Sequence, residues 1–178
     1  MQKKMIKNKL VKFPDQLLWQ PSKEVTNFET DELYNLANNL RTLNRIEKGL
    51  GIAAPQAGYL KRVFYFQTPD GNSGVFCNPK IINFSSAETA IQEGCLSIRG
   101  YYWEVVRPAI VDISWQDLDG NEHEARFDGL MSRLVQHEID HLDGKLIVDY
   151  LDEEDYSKFE DEYFNQGLRG TYGPMLFT

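Results

Sequence analysis

The sequence predicts an α+β fold in a single domain. Two observations carry this reading. Helix-period and strand-period segments follow one another without repeats, low-complexity runs or a linker. A stretch of alternating residues around Asp119-Gly120 reads as a hairpin, which points away from a doubly wound parallel sheet. The chain has 178 residues, 42% apolar and 26% charged, enough to bury a full core without disulfides. Residues 1–178 are read as one domain, with an acidic helix and tail over residues 149–178.

The first helix is expected over residues 30–49. Leu33, Leu36, Ala37, Leu40, Leu43 and Ile46 recur at helical spacing, Thr30 suits the N-cap and Gly49 the stop. Next comes a small, Gly-rich stretch, GLGIAAPQAG, over residues 49–58. RVFYFQ reads as a strand, and so does GVFCN, ending before Pro79. The arms of the hairpin meet at Asp119-Gly120, which suits a tight turn with positive φ. Residues 128–144 form the second helix, with Asp128 as cap, Gly144 as stop, and Leu130, Leu134, Ile139 and Leu142 as its apolar surface. A third, amphipathic helix follows in EEDYSKFEDEYF, with Tyr156, Phe159 and Tyr163 on one side.

Composition excludes several classes. The net charge of −8 and pI near 4.9 give no basic footprint, so no direct nucleic-acid binding is expected. The basic start (Lys3, Lys4, Lys7, Lys9, Lys12) and the acidic residues 149–162 read as solvated surface. Cys77 and Cys95 are too few for a disulfide scaffold. No run approaches a signal peptide or the ~20 apolar residues of a membrane span. The expected setting is a reducing cytoplasm with no membrane partner; organellar or viral origin stays open.

The chemistry concentrates in QHEIDH, residues 136–141. His137 and His141 stand at i and i+4, so their rings share one helix face and can converge on one ion. Glu138 is near enough to work on a water without ligating the ion. The competing reading is an ordinary helix with polar residues. Against it, the helix is otherwise apolar, and a buried histidine pair wants a partner. His123, the one other histidine, falls in the hairpin and reads as exposed. A hydrolytic metal needs a third ligand and an open position. Asp149, Asp152, Glu153 and Glu154 lie downstream, and Cys95, beside Gly94, lies upstream in a segment that breaks the strand pattern. A thiolate is a strong ligand, but most free cysteines are small buried hydrophobes. That plainer reading wins for Cys95 taken alone, and more so for Cys77.

Three segments taken together change the balance. GLGIAAPQAG, EGCLS (residues 93–97) and QHEIDH, in this order and spacing, resemble the three motifs of peptide deformylases. KFPDQLLWQPSKEV resembles the opening of that family, and residues 128–151 resemble its core helix and exit. The likeness covers about residues 10–152. It implies antiparallel sheets packed around a central metal-binding helix that carries HExxH. It implies one divalent ion held by Cys95, His137 and His141, with Fe(II) as the native metal and zinc, nickel or cobalt as substitutes. The implied reaction removes the N-formyl group from formylmethionine on nascent chains at the ribosome and releases formate. Metal-bound hydroxide attacks the formyl carbon, with Glu138 as general base and then acid. The Gln56 side chain and the Leu96 backbone N–H match the family's oxyanion donors.

Other positions are carried over with less weight. Gly49, Gly51 and Gly94 would let backbone approach the substrate. Leu50, Ile91, Leu130 and Leu134 would line the methionine pocket, with Glu93 near it and in the outer shell of the metal. Arg107 would border the substrate. Plainer readings make Gln56 a turn anchor, Leu50 and Leu134 core, and Arg107 a solvated surface residue.

Two departures stand out. The family usually has proline two residues after the serine of its second motif; here that place is Arg99, followed by Gly100, Tyr101, Tyr102 and Trp103. The resulting expectation is an altered preference for the peptide beyond methionine. The acidic C-terminal helix predicts no ribosome attachment through residues 153–178. Residues 165–178 receive no assignment. The rival readings are a peptidase with a downstream third ligand, a non-catalytic relative, and a structural zinc domain using Cys77.

Overall fold

The computed structural model describes residues 9–165. The first helix, α1 (Asp31–Glu47), begins as predicted: Thr30 Oγ1 accepts from Leu33 N at 3.2 Å. Its end differs. Lys48 takes the left-handed conformation at φ 58°, in place of Gly49. Gly49 is small for another reason, since a Cβ there would fall 2.6 Å from Asn44 Oδ1 and 2.8 Å from Leu96 Cδ1.

Seven strands follow: β1 (Gly51–Ala53), β2 (Val63–Gln67), β3 (Ser73–Phe84), β4 (Glu88–Cys95), β5 (Ile98–Pro108), β6 (Val111–Gln116) and β7 (Glu122–Phe127). Five of them form an antiparallel sheet in the order β1-β2-β3-β6-β7, while β4 and β5 pair only with each other. The β3 strand does not stop before Pro79 but runs to Phe84. Register shifts between Cys77 and Lys80 put the proline where the ladder is interrupted, so its missing N–H costs no sheet bond. Asn78 sits at φ 51° there, and its side chain bonds Val25 N at 2.8 Å and Gln116 Oε1 at 2.8 Å.

The β4–β5 hairpin corrects the expectation that Cys95 lies in a break in the strand pattern. Cys95 is the last residue of β4, and Leu96-Ser97 make the turn. Apolar alternation is hidden because buried positions on β4 include Glu93 and Gly94. The β6–β7 hairpin is as read, with Gly120 at φ 87°.

The second helix, α2 (Gly129–Leu142), carries the HExxH residues in the C-terminal part of the chain. Asp128 is its N-cap residue by conformation, but its side chain makes no capping bond. Gly144, at φ 75°, follows the helix. The third helix, α3 (Glu153–Glu160), continues as a π-helical turn over Asp161–Asn165. Phe159 and Tyr163 are buried on Phe13, which seats the helix on the N-terminal segment.

The core has three apolar clusters. One joins α1 to β1 and β2, and one joins the five-stranded sheet to α2 through Phe64, Ile113, Leu134 and Leu142. The third joins Cys95, Ile98 and Tyr101 of the hairpin to α3. No described helix is long and apolar enough to cross a membrane. Lys3, Lys4, Lys7 and residues 166–178 of the tail lie outside the described residues.

Candidate metal centre

Helix α2 places the His137 and His141 rings one turn apart, with centroids 4.9 Å from each other. The hairpin brings Cys95 onto them, with Sγ 3.2 Å from His141 Nε2. One ligand atom from each of the three residues lies within 4.8 Å of the others, and all three residues are buried. This is the one such cluster of His, Cys, Asp or Glu among the described residues. Three of the four acidic residues weighed as third ligands serve elsewhere. Asp149 accepts from Leu146 N, Asp152 caps α3, and Glu154 pairs with Lys158. Cys77 stands on β3, outside the cluster, and burial pushes its thiol up to about 12. His123 pairs with Asp117 at 2.9 Å on the partly exposed hairpin.

The donor set fits a divalent ion. A thiol from the hairpin and two imidazoles from α2 converge, the number of protein ligands that a catalytic site with an open fourth position takes. Glu138 Oε2 is buried without a hydrogen-bond partner among the described residues. Buried polar atoms in that state are rare unless a further group completes the site.

Glu138 is packed directly against β1. A Cβ on Gly51 would lie 2.8 Å from the Glu138 carboxyl carbon, so this glycine makes room for the carboxylate. Burial pushes the Glu138 carboxyl up to about 7. Gln56, in the 3₁₀ turn after β1, is fixed through its oxygen, which accepts from Ala53 N at 2.9 Å. Its amide then points Nε2 at Ser97 Oγ (3.2 Å) and Cys95 Sγ (3.6 Å). Gln56 therefore both anchors the turn and presents a donor to the cluster. Leu96, the first turn residue after Cys95, is buried against Gly49.

Behind the cluster lies a buried charge network. Glu93 Oε2 lies 2.9 Å from His137 Nδ1, which leaves Nε2 for the cluster. Arg107 grips the same carboxylate with Nε (2.7 Å) and Nη2 (2.9 Å), and reaches Asp140 Oδ2 with Nη1 (2.7 Å). Burial alone would raise the Glu93 carboxyl, but the bonds from His137 and Arg107 outweigh it and bring it to about 2. Arg107 is thus not a solvated surface residue; its donors are used behind His137. Tyr150 and Arg133 complete the network and were missed in the sequence. The available signal was spacing, since Arg133 precedes His137 by four on the same helix face.

Ile91 lines a cavity of about 440 Å³ with Pro108, Gly129 and Arg133. Leu130 lines another of about 600 Å³ with Phe66, Phe127 and Met131. Leu134 is fully buried in the sheet–helix core, with Leu50 packed on the same cluster. Gly94 is required by packing, because a Cβ there would lie 2.7 Å from Tyr102 Cε1. The Arg99 departure is anchored: Arg99 pairs with Glu47 at the end of α1.

Known proteins match this arrangement over most of the chain. The family described as polypeptide deformylase matches residues 7–157. A peptide deformylase of Prochlorococcus marinus (strain NATL1A) is 38% identical over 155 residues, covering 84% of this chain and 76% of that protein. One from Rhizobium meliloti (strain 1021) is 38% identical over 146 residues, covering 80% and 83%. The crystal structure of the Ehrlichia chaffeensis peptide deformylase in complex with actinonin superposes with TM-score 0.84 at 30% identity, covering 89% of this chain and 96% of that one. A Plasmodium falciparum peptide deformylase structure gives 0.81 at 36% identity, covering 90% and 95%. Ligand cluster, antiparallel fold and matched sequence agree, and the chain belongs to the polypeptide deformylase family, as an enzyme of that family.

Proposed function

We propose that this enzyme hydrolyses the N-formyl group of formylmethionyl peptides to formate and a free amine, with Cys95, His137 and His141 holding its divalent metal. The observation that carries the reading is the buried Glu138 carboxylate beside the three-ligand cluster, with Gln56 Nε2 at its edge. When bound, the ion supplies Lewis acidity, which makes water a nucleophile near neutral pH. Glu138 accepts the proton of the attacking water and later delivers it to the leaving nitrogen. Its burial beside the cluster keeps it in place to do both. The Gln56 amide donates to the developing oxyanion together with the Leu96 backbone N–H, and losing one such donor typically costs about 10²–10³ in rate. Ile91 and Leu130 offer apolar surface for methionine.

In this reading α2 is the metal-binding helix around which both sheets are arranged, within one domain. Fe(II) is the native ion, zinc an acceptable one, and the two free cysteines fit a reducing cytoplasm. Arg99, tied to Glu47, shapes preference beyond methionine, and the acidic α3 does not dock on ribosomes. The test is formate release from a formyl-Met tripeptide by protein purified without oxygen. Wild type should turn over, and Glu138→Ala should be nearly silent while keeping its metal. Cleavage of internal peptide bonds, with no formate, would favour the peptidase reading.

A further inference from the structure

The two kinds of ligand arrive on elements that no sheet ladder joins. The histidines belong to α2, which packs on the five-stranded sheet. Cys95 belongs to the β4–β5 hairpin, a separate two-stranded sheet. On its other side this hairpin packs on α3 and the N-terminal segment. Toward α2 it is held by polar side chains. Gln136 Nε2 reaches Pro108 O at 3.0 Å, and His137 meets Glu93. The largest share of these bonds comes from Arg133.

Arg133 is 2% exposed. Its Nη1 donates to Glu93 Oε1 (3.0 Å) and Val105 O (2.8 Å). Its Nη2 donates to Thr89 O (2.6 Å) and Thr89 Oγ1 (2.9 Å). One guanidinium therefore spans β4, β5 and the carboxylate that orients His137. Glu93 does not need it for neutrality, because Arg107 already grips that carboxylate with two bonds. With Arg133 the group would carry a net positive charge, which Asp140 offsets through Arg107. A second buried cation is costly to desolvate. What it provides here, beyond Arg107, is a planar fork aimed at two strands at once.

We infer that Arg133 is a positioning residue of the metal centre. It clasps the β4–β5 hairpin to α2 and so sets where Cys95 Sγ meets the ring nitrogens of His137 and His141. Arg133 and His137 lie four residues apart on one helix face, and each takes a different oxygen of Glu93. A shift of the clasp therefore moves hairpin and ligand ring together. The inference rests on the metal-centre reading given above.

The experiment compares Co(II)-loaded wild type with Arg133→Met and Arg133→Lys, using the full chain. Lys80→Met is the control, because Lys80 forms an exposed ion pair with Glu24 away from the cluster. Three quantities are read: the thiolate-to-cobalt and visible absorption bands, the rate of cobalt loss to a chelator, and kcat and KM on a formyl-Met tripeptide. Changing an outer-shell partner typically costs about 10–100-fold in metal affinity or activity. Arg133→Met should lose cobalt faster by about that factor, with altered bands and a matching fall in kcat. Arg133→Lys should be intermediate, since an ammonium keeps the charge but not the fork. Lys80→Met should match wild type. A wild-type spectrum and release rate in Arg133→Met would overturn the inference, whatever its melting temperature. If that variant does not fold, wild-type values in Arg133→Lys would overturn it equally. Wild-type protein lacking any thiolate band would sink the metal-centre reading and this inference with it. A normal band without formate release would sink the deformylase reading alone, and the spectra would still decide for Arg133.

Discussion

The two cysteines sit in regions held together by different physics. Cys77 is in the middle of the five-stranded sheet, opposite Val63 on β2 and Gln116 on β6. Its neighbours are apolar: Leu36, Leu40, Ile52 and Val63. Cys95 ends a two-stranded hairpin whose inner edge meets buried nitrogen ligands, a glutamine amide and a charge network. In the proposed reading one residue type is a filler in the first region and a ligand in the second. Burial does not separate them, since both are nearly inaccessible. The neighbours do: apolar atoms leave a thiol nothing to bind, and two imidazoles give a cation somewhere to sit.

The largest effect should come from breaking the hairpin side of that contrast. Cys95→Ala removes the one ligand that α2 does not supply. The purified variant should fail to retain stoichiometric metal, and formate release should fall to background. Its fold should survive, because the hairpin keeps its packing on α3 and its polar bonds to α2. Metal analysis and circular dichroism on the same sample check this. Full metal content in Cys95→Ala would mean that the thiol is only packing.

Breaking the sheet side should reverse the pattern. Ile113 on β6 is fully buried between the sheet and α2. Ile113→Ala leaves a cavity and should cost about 2–5 kcal/mol. For a chain of this size each kcal/mol moves the melting temperature by about 2–4 °C, so a fall of about 5–20 °C is expected. Metal content and kcat below the transition should stay as in wild type, because Ile113 belongs to the sheet–helix cluster and Cys95 to another. Loss of metal well below the melting transition would show that the two regions are not separable.

The same contrast sets what the sequence could reveal. The histidine pair was legible from i,i+4 spacing, and α1, α3 and the β6–β7 hairpin from periodicity and turn chemistry, because these features are local. Cys95 was not legible locally: its strand hides its alternation behind a buried glutamate and a glycine, and its partners are 42 and 46 residues away. Only the ordered set of motifs pointed to it. The surface reading of Arg107 failed because a buried arginine is uncommon and its carboxylate lies across a hairpin. The Gly49 stop failed because close approach to Asn44 and Leu96, rather than backbone handedness, requires the glycine.

The smallest effect sharpens the comparison most directly. Cys77→Ala removes one buried sulfur from an apolar cluster. By area the loss is about that of one methylene group, roughly 1 kcal/mol. Metal content, kcat and KM should be unchanged. The thiol chemistry should differ as the surroundings do. With a pKa pushed up to about 12, Cys77 at pH 8 holds roughly one thiolate in 10⁴. It should therefore resist alkylation for as long as the sheet stays folded. Stripping the metal with a chelator should expose one reactive thiol per chain, and that thiol should vanish in Cys95→Ala but remain in Cys77→Ala. A second thiol reacting at the same rate in the native protein would mean that β3 opens as readily as the hairpin, and the contrast between the two regions would fail.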